Sequence, residues 1–213
     1  MNAFFILFLA FLLGSFNSLK AQSLDYFKKV KNSRNYCLQE DTLNTTLVNN
    51  TASLIGKIDY IVVSKMNQKV FLFSGNKIVR IYPVVFGKNP IGAKQFEGDL
   101  KTPEGHYFIA EKNPESKYYK SLQISYPNKE ESEYAHSQGK LPGSEIMFHG
   151  LPNVNANESI GERFKRIGIT KAQSMGINWT RGCMAMTNEN IDEMYTLISL
   201  KTLVEICPSQ IEK

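Results

Sequence analysis

The pattern of apolar and polar positions changes from a helical to an extended repeat near residue 58. Three apolar side chains recur at helical spacing in the N-terminal part: Leu24, Phe27 and Val30. A polar, turn-rich stretch from Asn44 to Ser53 follows, and beyond it short apolar runs alternate with turn sequences. We therefore predict a helical lead-in and linker over residues 22–57 and a folded domain over residues 58–207.

Within this predicted domain, six segments have strand-like apolar runs: 60–63, 70–73, 78–86, 106–110, 143–148 and 201–207. Tight turns join the first three, which predicts an antiparallel meander. Thr187 precedes an amphipathic stretch in the position of a helix N-cap. Four residues form the apolar stripe of that stretch: Ile191, Met194, Tyr195 and Ile198. The pattern predicts a mostly β fold (α+β), a sandwich or barrel with a few short helices.

The chain begins with an apolar run of ten residues, Phe4 to Leu13, which Gly14 and Ser15 interrupt. This run is short for a transmembrane helix and typical of a signal-peptide core, so residues 1–21 are predicted to be a leader cleaved after Ala21. Because no lysine or arginine precedes the run, an uncleaved membrane anchor is the alternative. Either alternative predicts export, to the periplasm or the cell envelope.

The composition narrows the classes of function. Of the 213 residues, 42% are hydrophobic and 21% are charged, as in an ordinary globular protein. The net charge is only +5 and no arginine-rich cluster occurs, so a dedicated nucleic-acid-binding protein is not expected. We expect no metal site, because the sequence has no Cys-x-x-Cys or Cys/His spacing typical of zinc ligands.

The chain has an odd number of cysteines, Cys37, Cys183 and Cys207, for an oxidising compartment. Cys37 and Cys207 flank the predicted core, so they either pair in a disulfide or lie buried as small hydrophobic side chains. At least one thiol is therefore unpaired or bridged to a partner, and Cys183 is the cysteine whose neighbours suggest chemistry.

Cys183 follows Thr180, Arg181 and Gly182, in a segment with the pattern of a helix start. Glycine permits close approach of the backbone, so consecutive N–H groups from Arg181 to Cys183 are predicted to form an oxyanion hole. Arg181 adds a positive charge beside the sulfur. A thiol with these neighbours is a candidate nucleophile that needs a base.

Of the three histidines, His149 is the best placed to be that base. It ends a short apolar strand and precedes Gly150, whereas His106 lies inside a strand pattern and His136 lies in a polar stretch. Catalytic groups are commonly mounted at such strand ends. We expect the Gly150 carbonyl oxygen to accept a hydrogen bond from one ring nitrogen. We also expect the Cys–His pair to hold a thiolate against an imidazolium near neutral pH.

Several motifs in the same order resemble the L,D-transpeptidase catalytic domain (YkuD-like) family, over roughly Ile58 to Ile206. The His149-Gly150 pair and the Thr180-Arg181-Gly182-Cys183 loop match its histidine-glycine element and its Ser/Thr-x-Gly-Cys loop. Three further segments match its landmarks: Gly87-Lys88-Asn89-Pro90, Phe96 to Gly105, and Ser125-Tyr126-Pro127-Asn128.

The resemblance implies a β-rich L,D-transpeptidase-type domain that acts on peptidoglycan stem peptides in cell-wall cross-linking or remodelling. Cys183 would be the nucleophile that forms an acyl-enzyme, His149 the base, and Gly150 the source of the orienting carbonyl. The oxyanion- and substrate-binding loop would consist of Thr180, Arg181 and Gly182. The resemblance implies no cofactor. Envelope proteins are further candidate partners, as acyl acceptors or leaving groups.

The sequence departs from the family pattern at Arg181 and Ala185, where many members have histidine and arginine. Its segment Trp-Thr-x-Gly-Cys-x-Ala-x-Thr-Asn is similar to a distinct branch of the family. Some members of that wider group hydrolyse amides that join proteins to diaminopimelate. Hydrolysis of stem-peptide or protein-to-diaminopimelate amides is therefore the alternative to transpeptidation.

An insertion from Asn155 to Met175, with a short predicted helix, separates the histidine from the cysteine. It is either a lid over the cleft that limits the choice of acceptor or a packed surface insertion. Two other classes of protein are alternatives: a papain-like protease, which would usually place its histidine after the cysteine, and a non-catalytic wall-binding module in which the Gly-Cys loop is only a turn.

Overall fold

The computed structural model describes residues 37, 47–153 and 177–209. The predicted leader, most of the predicted lead-in and the Asn155 to Met175 insertion lie outside the described residues. The chain divides into two compact units, Met1–Asp41 and Thr42–Lys213, and the second contains the β-rich domain. None of the helices in the described residues could span a membrane.

The described residues of the second unit form eight strands in chain order: β1 (Tyr60–Ser64), β2 (Lys69–Ser74), β3 (Lys77–Pro83), β4 (Gly105–Ser116), β5 (Tyr119–Ile124), β6 (Met147–His149), β7 (Met184–Ala185) and β8 (Leu203–Cys207). They make one sheet in the order β3-β2-β1-β8-β4-β5-β6-β7. The first three strands are the predicted antiparallel meander, and β8 returns beside β1 in parallel. The predicted mostly β fold is confirmed.

Three helical segments accompany the sheet in the described residues: a 3-10 helix (Thr51–Leu54), α1 (Lys129–Ser137) and α2 (Asn188–Leu197). Thr187 caps α2 as predicted, because its hydroxyl oxygen accepts from the backbone N–H of Asn190 at 3.2 Å. The apolar stripe of α2 packs into the core through Ile191, Met194 and Leu197. This packing fixes the start of α2, which lies close to the candidate site described below.

Glu193 attaches α2 to the sheet and to the segment before it. Its carboxylate accepts from Arg80 Nε at 2.8 Å, from the Tyr82 hydroxyl at 2.8 Å and from Thr51 Oγ1 at 2.6 Å. Although burial favours the neutral acid, these three donors hold the pKa of Glu193 below its usual range. These hydrogen bonds of Glu193 help to fix the position of α2 relative to β3.

Residues before the predicted domain also pack against its core. Leu54 is buried, and Val48 contacts the same cluster of apolar side chains. The packed part of the chain therefore begins before residue 58, where the sequence pattern placed the start of the domain. The domain range of 58–207 stays a prediction.

Several local predictions were wrong. The third strand ends at Pro83 rather than at residue 86, because the following backbone leaves β2 and bridges Val85 to Ala185 and Gly87 to Thr180. The strand predicted over 143–148 is reduced to Met147–His149. Two elements were not predicted, β5 and α1, because β5 mixes polar and apolar residues and α1 buries only Ala135.

Candidate active site

The parallel pairing of β6 and β7 brings His149 and Cys183 to one face of the sheet. In this pairing Phe148 lies opposite Met184, and His149 lies opposite Ala185. Side chains alternate between faces along a strand. Phe148 and Met184 belong to the main core, so His149, Ala185 and Cys183, which directly precedes β7, share the opposite face. The sheet thus places His149 and Cys183, the two residues that the sequence indicated as catalytic, on the same face.

His149 ends β6 and is almost fully buried, with 2% of its surface exposed. Its Nδ1 atom lies 2.7 Å from the carbonyl oxygen of Gly150, as predicted. A carbonyl can only accept, so Nδ1 carries the proton and Nε2 keeps a free lone pair. Burial lowers the pKa of His149 to about 4, although the Gly150 carbonyl opposes the shift.

Gly150 occupies a position with no room for a side chain. A Cβ built there would lie 2.6 Å from Asn188 Oδ1 and 3.1 Å from the carbonyl oxygen of Tyr118. The amide of Asn188, the first residue of α2, accepts from the backbone N–H of Leu151 at 2.9 Å. The turn that carries the orienting carbonyl is therefore held between α2 and the chain just before β5.

Cys183 is a partly exposed free cysteine, and its Sγ donates to the carbonyl oxygen of Glu145 at 3.3 Å. Burial raises the pKa of the Cys183 thiol to about 11. The backbone of Met147 and the charge of Lys94 favour the thiolate, whereas the charge of Glu145 opposes it. The thiol is therefore protonated at neutral pH.

The pKa shifts of Cys183 and His149 both oppose the expected thiolate–imidazolium pair in this resting structure. Charge is disfavoured on both partners, because burial removes water from the Cys183 sulfur and from the His149 ring alike. At pH 7 the pair consists of a neutral thiol and a neutral imidazole. The histidine is then available as a base, and the proton has still to be transferred.

The loop before Cys183 is held by the hydroxyl group of Thr180. Its Oγ1 accepts from the N–H of Gly182 at 3.1 Å and donates to the carbonyl oxygen of Cys183 at 2.7 Å. The N–H of Gly182, predicted as an oxyanion donor, is therefore already engaged, which leaves those of Arg181 and Cys183 as candidates. The predicted helix start at Cys183 is wrong, because β7 follows and α2 begins only at Asn188.

Gly182 itself is required by the backbone conformation and by space. Its φ angle is +139°, and an added Cβ would lie 2.6 Å from the carbonyl oxygen of Lys101. Gly87 also lies close to this loop, since a Cβ there would lie 2.1 Å from the Leu100 carbonyl oxygen and 3.2 Å from Gly182 Cα. Backbone segments thus surround the loop closely.

The sequence landmarks near residues 87–105 have a structural role around this loop. The N–H of Lys88 donates to the carbonyl oxygen of Thr180 at 3.1 Å, and the N–H of Gly87 donates to the buried Thr102 hydroxyl at 3.2 Å. Asp99 accepts from Lys94 Nζ at 2.9 Å and from three backbone N–H groups, those of Gln95, Phe96 and Lys101. Through these contacts, the segment from Gly87 to Thr102 is fixed in position against the cysteine loop.

The structure also separates the remaining cysteines and histidines from the candidate site. Cys37 and Cys207 are each disulfide-bonded, so neither is a free thiol. His106 lies on β4, with Nε2 3.7 Å from Glu205 Oε1, and His136 lies exposed on α1.

Sequence reasoning missed three residues that contact the histidine or its turn: Tyr118, Trp179 and Asn188. Trp179 and Asn188 could have been found, because they lie within the segment that contains Cys183. Tyr118 had no local signal, since its contact with His149 depends on the pairing of β5 with β6.

The comparisons with known proteins agree on one family. A family model described as the L,D-transpeptidase catalytic domain matches residues 58–206. The Escherichia coli (strain K12) protein YafK, whose name assigns it to the L,D-transpeptidases, is 27% identical in a 152-residue alignment that covers 68% of this chain and 49% of YafK. The chain therefore spans about half the length of the curated relatives that it matches.

Two solved structures illustrate the structural likeness. The helical cell shape determining protein Pgp2 from Campylobacter jejuni is 22% identical, with a TM-score of 0.49 over 76% of this chain and 55% of that chain. An L,D-transpeptidase from Mycobacterium smegmatis is 13% identical, with a TM-score of 0.43 over 70% of this chain and 58% of that chain. The family model covers well over half of the sequence, and the chain belongs to the L,D-transpeptidase catalytic domain family.

Proposed function

We propose that this protein is a cysteine-dependent L,D-transpeptidase that acts on peptidoglycan stem peptides in cell-wall cross-linking or remodelling. The observation that carries the proposal is the placement of Cys183 and His149 on one sheet face, with the Nδ1 proton of His149 committed to Gly150. Nε2 is then the proton acceptor for the thiol. Membership of the family supports the substrate class.

In the first half of the proposed reaction, Cys183 Sγ attacks the carbonyl carbon of an L-residue–D-residue amide. As the C–S bond forms, the thiol proton passes to His149 Nε2 and the carbonyl π electrons move onto the oxygen. The backbone N–H groups of Arg181 and Cys183 are the proposed donors to this oxyanion. When the C–N bond breaks, the leaving amine takes the proton from Nε2, and a thioester on Cys183 remains.

In the second half, an amine or a water molecule attacks the thioester while His149 Nε2 takes its proton. Collapse of the intermediate breaks the C–S bond, and the sulfur regains the proton from the imidazolium. An amine acceptor gives a new amide, whereas water gives a free carboxylic acid. In both halves, His149 Nε2 is the group that accepts a proton and then returns it.

Hydrolysis is the second candidate function, and the observation that favours it is the environment of Ala185. Ala185 is fully buried and packs with Val85 and Leu151, so the charged side chain that many family members carry there is missing. A substrate carboxylate would then be held differently, which affects the choice of acceptor. The hydrolytic substrates would be stem-peptide or protein-to-diaminopimelate amides.

The disulfide-bonded state of Cys37 and Cys207 supports an oxidising compartment. We therefore propose that the protein acts after export, in the periplasm or at the cell envelope. Envelope proteins would be within reach there as acyl acceptors or leaving groups. The leader over residues 1–21 stays a prediction.

Mass spectrometry of purified muropeptides incubated with the wild-type protein and with Cys183→Ala tests the proposal. We expect loss of the terminal D-residue, its exchange, or new cross-links with the wild type only. Adding a D-amino acid as a competing amine separates the two candidates, because transpeptidation incorporates it and hydrolysis does not. Identical products from both proteins would overturn the catalytic assignment of Cys183.

A further inference from the structure

The imidazole of His149 lies against two aromatic rings. Its centroid is 4.5 Å from that of Tyr118, with 35° between the planes, and 5.7 Å from that of Trp179, at 75°. The two aromatic rings are themselves 6.1 Å apart. Tyr118 comes from the turn between β4 and β5, and Trp179 from the segment just before the cysteine loop. Rings from two distant parts of the chain therefore cover the histidine.

We propose that Tyr118 and Trp179 form an aromatic clamp that positions the His149 ring and keeps it uncharged at rest, so that the thiol proton is transferred only during attack. This inference rests on the proposed function, which assigns the attack to Cys183. It makes both aromatic residues positioning residues rather than catalytic ones. The state of the imidazole can be measured without any turnover.

The groups that face the imidazole give no support to a positive charge. The turn before β5 contributes the Tyr118 ring, β5 itself contributes Ser121 opposite His149, and the segment before β7 contributes the Trp179 ring. The ring is hydrogen-bonded to the uncharged carbonyl of Gly150. Within the described residues, no carboxylate forms an ion pair or a hydrogen bond with His149. Among the residues that the structure describes, a buried imidazolium would have no counterion and little access to water.

Tyr118 is the better residue to change. Tyr118 is 38% exposed, so removal of its ring should open a path for water to the histidine. Its backbone contacts would remain, because the carbonyl oxygen accepts from the N–H of Gly150 at 3.0 Å and the N–H donates to Ser116 Oγ at 3.2 Å. The turn that carries His149 should therefore survive substitution of the ring.

An NMR pH titration of the histidine ring protons tests the clamp, with the His149 signal assigned from its absence in His149→Gln. We expect His149 in the wild type to titrate near pH 4. In Tyr118→Leu the midpoint should rise by about one unit or more, toward the value of a hydrated imidazole. Tyr118→Phe should leave it unchanged. Tyr134→Leu, which removes an exposed tyrosine stacked on Phe96, is the matched control and should also leave it unchanged.

The sign of the shift separates the clamp from a cation–π role. If the rings served to stabilise an imidazolium, Tyr118→Leu would lower the midpoint instead of raising it. A downward shift, or a wild-type midpoint near 6.5, would overturn the proposal. Trp179→Phe provides a second variant in case Tyr118→Leu fails to fold. It is a smaller change to the other aromatic ring, and it should also raise the midpoint of the His149 titration.

The rate of Cys183 alkylation by iodoacetamide as a function of pH gives an independent readout, since the other two cysteines are disulfide-bonded. If the thiol and the imidazole are both neutral at rest, the alkylation rate should show a single increase with pH, with a midpoint near pH 11. A plateau already reached below pH 7 would indicate a thiolate–imidazolium pair and overturn the clamp. Neither measurement depends on muropeptide products, so failure of the proposed function and failure of the clamp are distinguishable.

Discussion

His149 Nδ1 and the carbonyl oxygen of Gly150 lie 2.7 Å apart, so a backbone group orients the proposed base. A carboxylate in this position would both orient the ring and stabilise its protonated form. A carbonyl fixes the tautomer but carries no charge to balance an imidazolium. This difference fits a base that rests neutral and is protonated only for the lifetime of an intermediate.

The buried neutral histidine should make the protein less stable in acid. The pKa of His149 is about 4 in the folded chain, against an ordinary value of 6.5. Stability from this group is fully present above pH 6.5 and is lost as the pH falls toward 4, because the unfolded chain then binds a proton that the folded chain does not. The loss is roughly 3 kcal/mol. Urea unfolding at pH 7 and at pH 4 should show it.

His149→Gln is the control for this pH dependence, because it removes the titrating group. The difference in unfolding free energy between pH 7 and pH 4 should shrink by about the amount lost through His149, roughly 3 kcal/mol. An equal difference in the wild type and in His149→Gln would show that other groups cause the acid sensitivity.

The local parts of the site could be predicted from the sequence. The strand-end position of His149 and the Thr-x-Gly-Cys pattern are short-range signals, and the contact between His149 and Gly150 joins neighbouring residues. The ionisation states could not be predicted in the same way. They depend on how much water the folded chain excludes from Cys183 and His149, and chain segments far apart in sequence determine that exclusion.

The same distinction holds for the fold. The meander of β1 to β3 was predictable because tight turns join its strands, and α2 because its cap and apolar stripe are local. The parallel return of β8 beside β1 was not, since it pairs residues that are far apart in the chain. The position of Tyr118 beside His149 follows from such long-range pairing and had no counterpart in the sequence pattern.

Replacing Thr180 with valine should weaken the cysteine loop. Valine keeps the shape of the side chain but leaves the N–H of Gly182 and the carbonyl of Cys183 without their 3.1 and 2.7 Å partners. Unsatisfied buried groups of this kind cost roughly 1–3 kcal/mol each. We expect a lower melting temperature and at least about a tenfold loss of acyl-enzyme formation. Thr180→Ser retains the hydroxyl and should behave much more like the wild type in both measurements.

Replacing Gly182 with alanine should abolish activity. The new Cβ would lie 2.6 Å from the Lys101 carbonyl oxygen, at a φ angle of +139° that side chains rarely adopt. The backbone before Cys183 would have to move. Gly105→Ala is a matched control, because its φ of +131° is equally unfavourable while its nearest neighbour, the Tyr107 hydroxyl, is 3.6 Å away.

Both glycine variants should lose thermal stability because of the backbone strain, but only Gly182→Ala should also lose the reaction of Cys183 with a thiol reagent or with substrate. If the two variants lost activity equally, the close contact with Lys101 would not be what makes glycine necessary in this loop.

Asn188 should act as a positioning residue for the histidine turn. Its Oδ1 accepts from the N–H of Leu151 at 2.9 Å and lies against Gly150, so Asn188→Ala removes a wall of the turn and leaves a donor without a partner. We expect a decrease in kcat of about tenfold or more with little change in KM, because the orientation of the base would be disturbed rather than substrate binding. Asn188→Asp keeps an acceptor oxygen and should restore most of kcat. Asn190→Ala, a change of the same type in the same helical turn, should have little effect. A decrease in kcat as large in Asn190→Ala as in Asn188→Ala would mean that the stability of α2, and not the contact with the histidine turn, causes the loss.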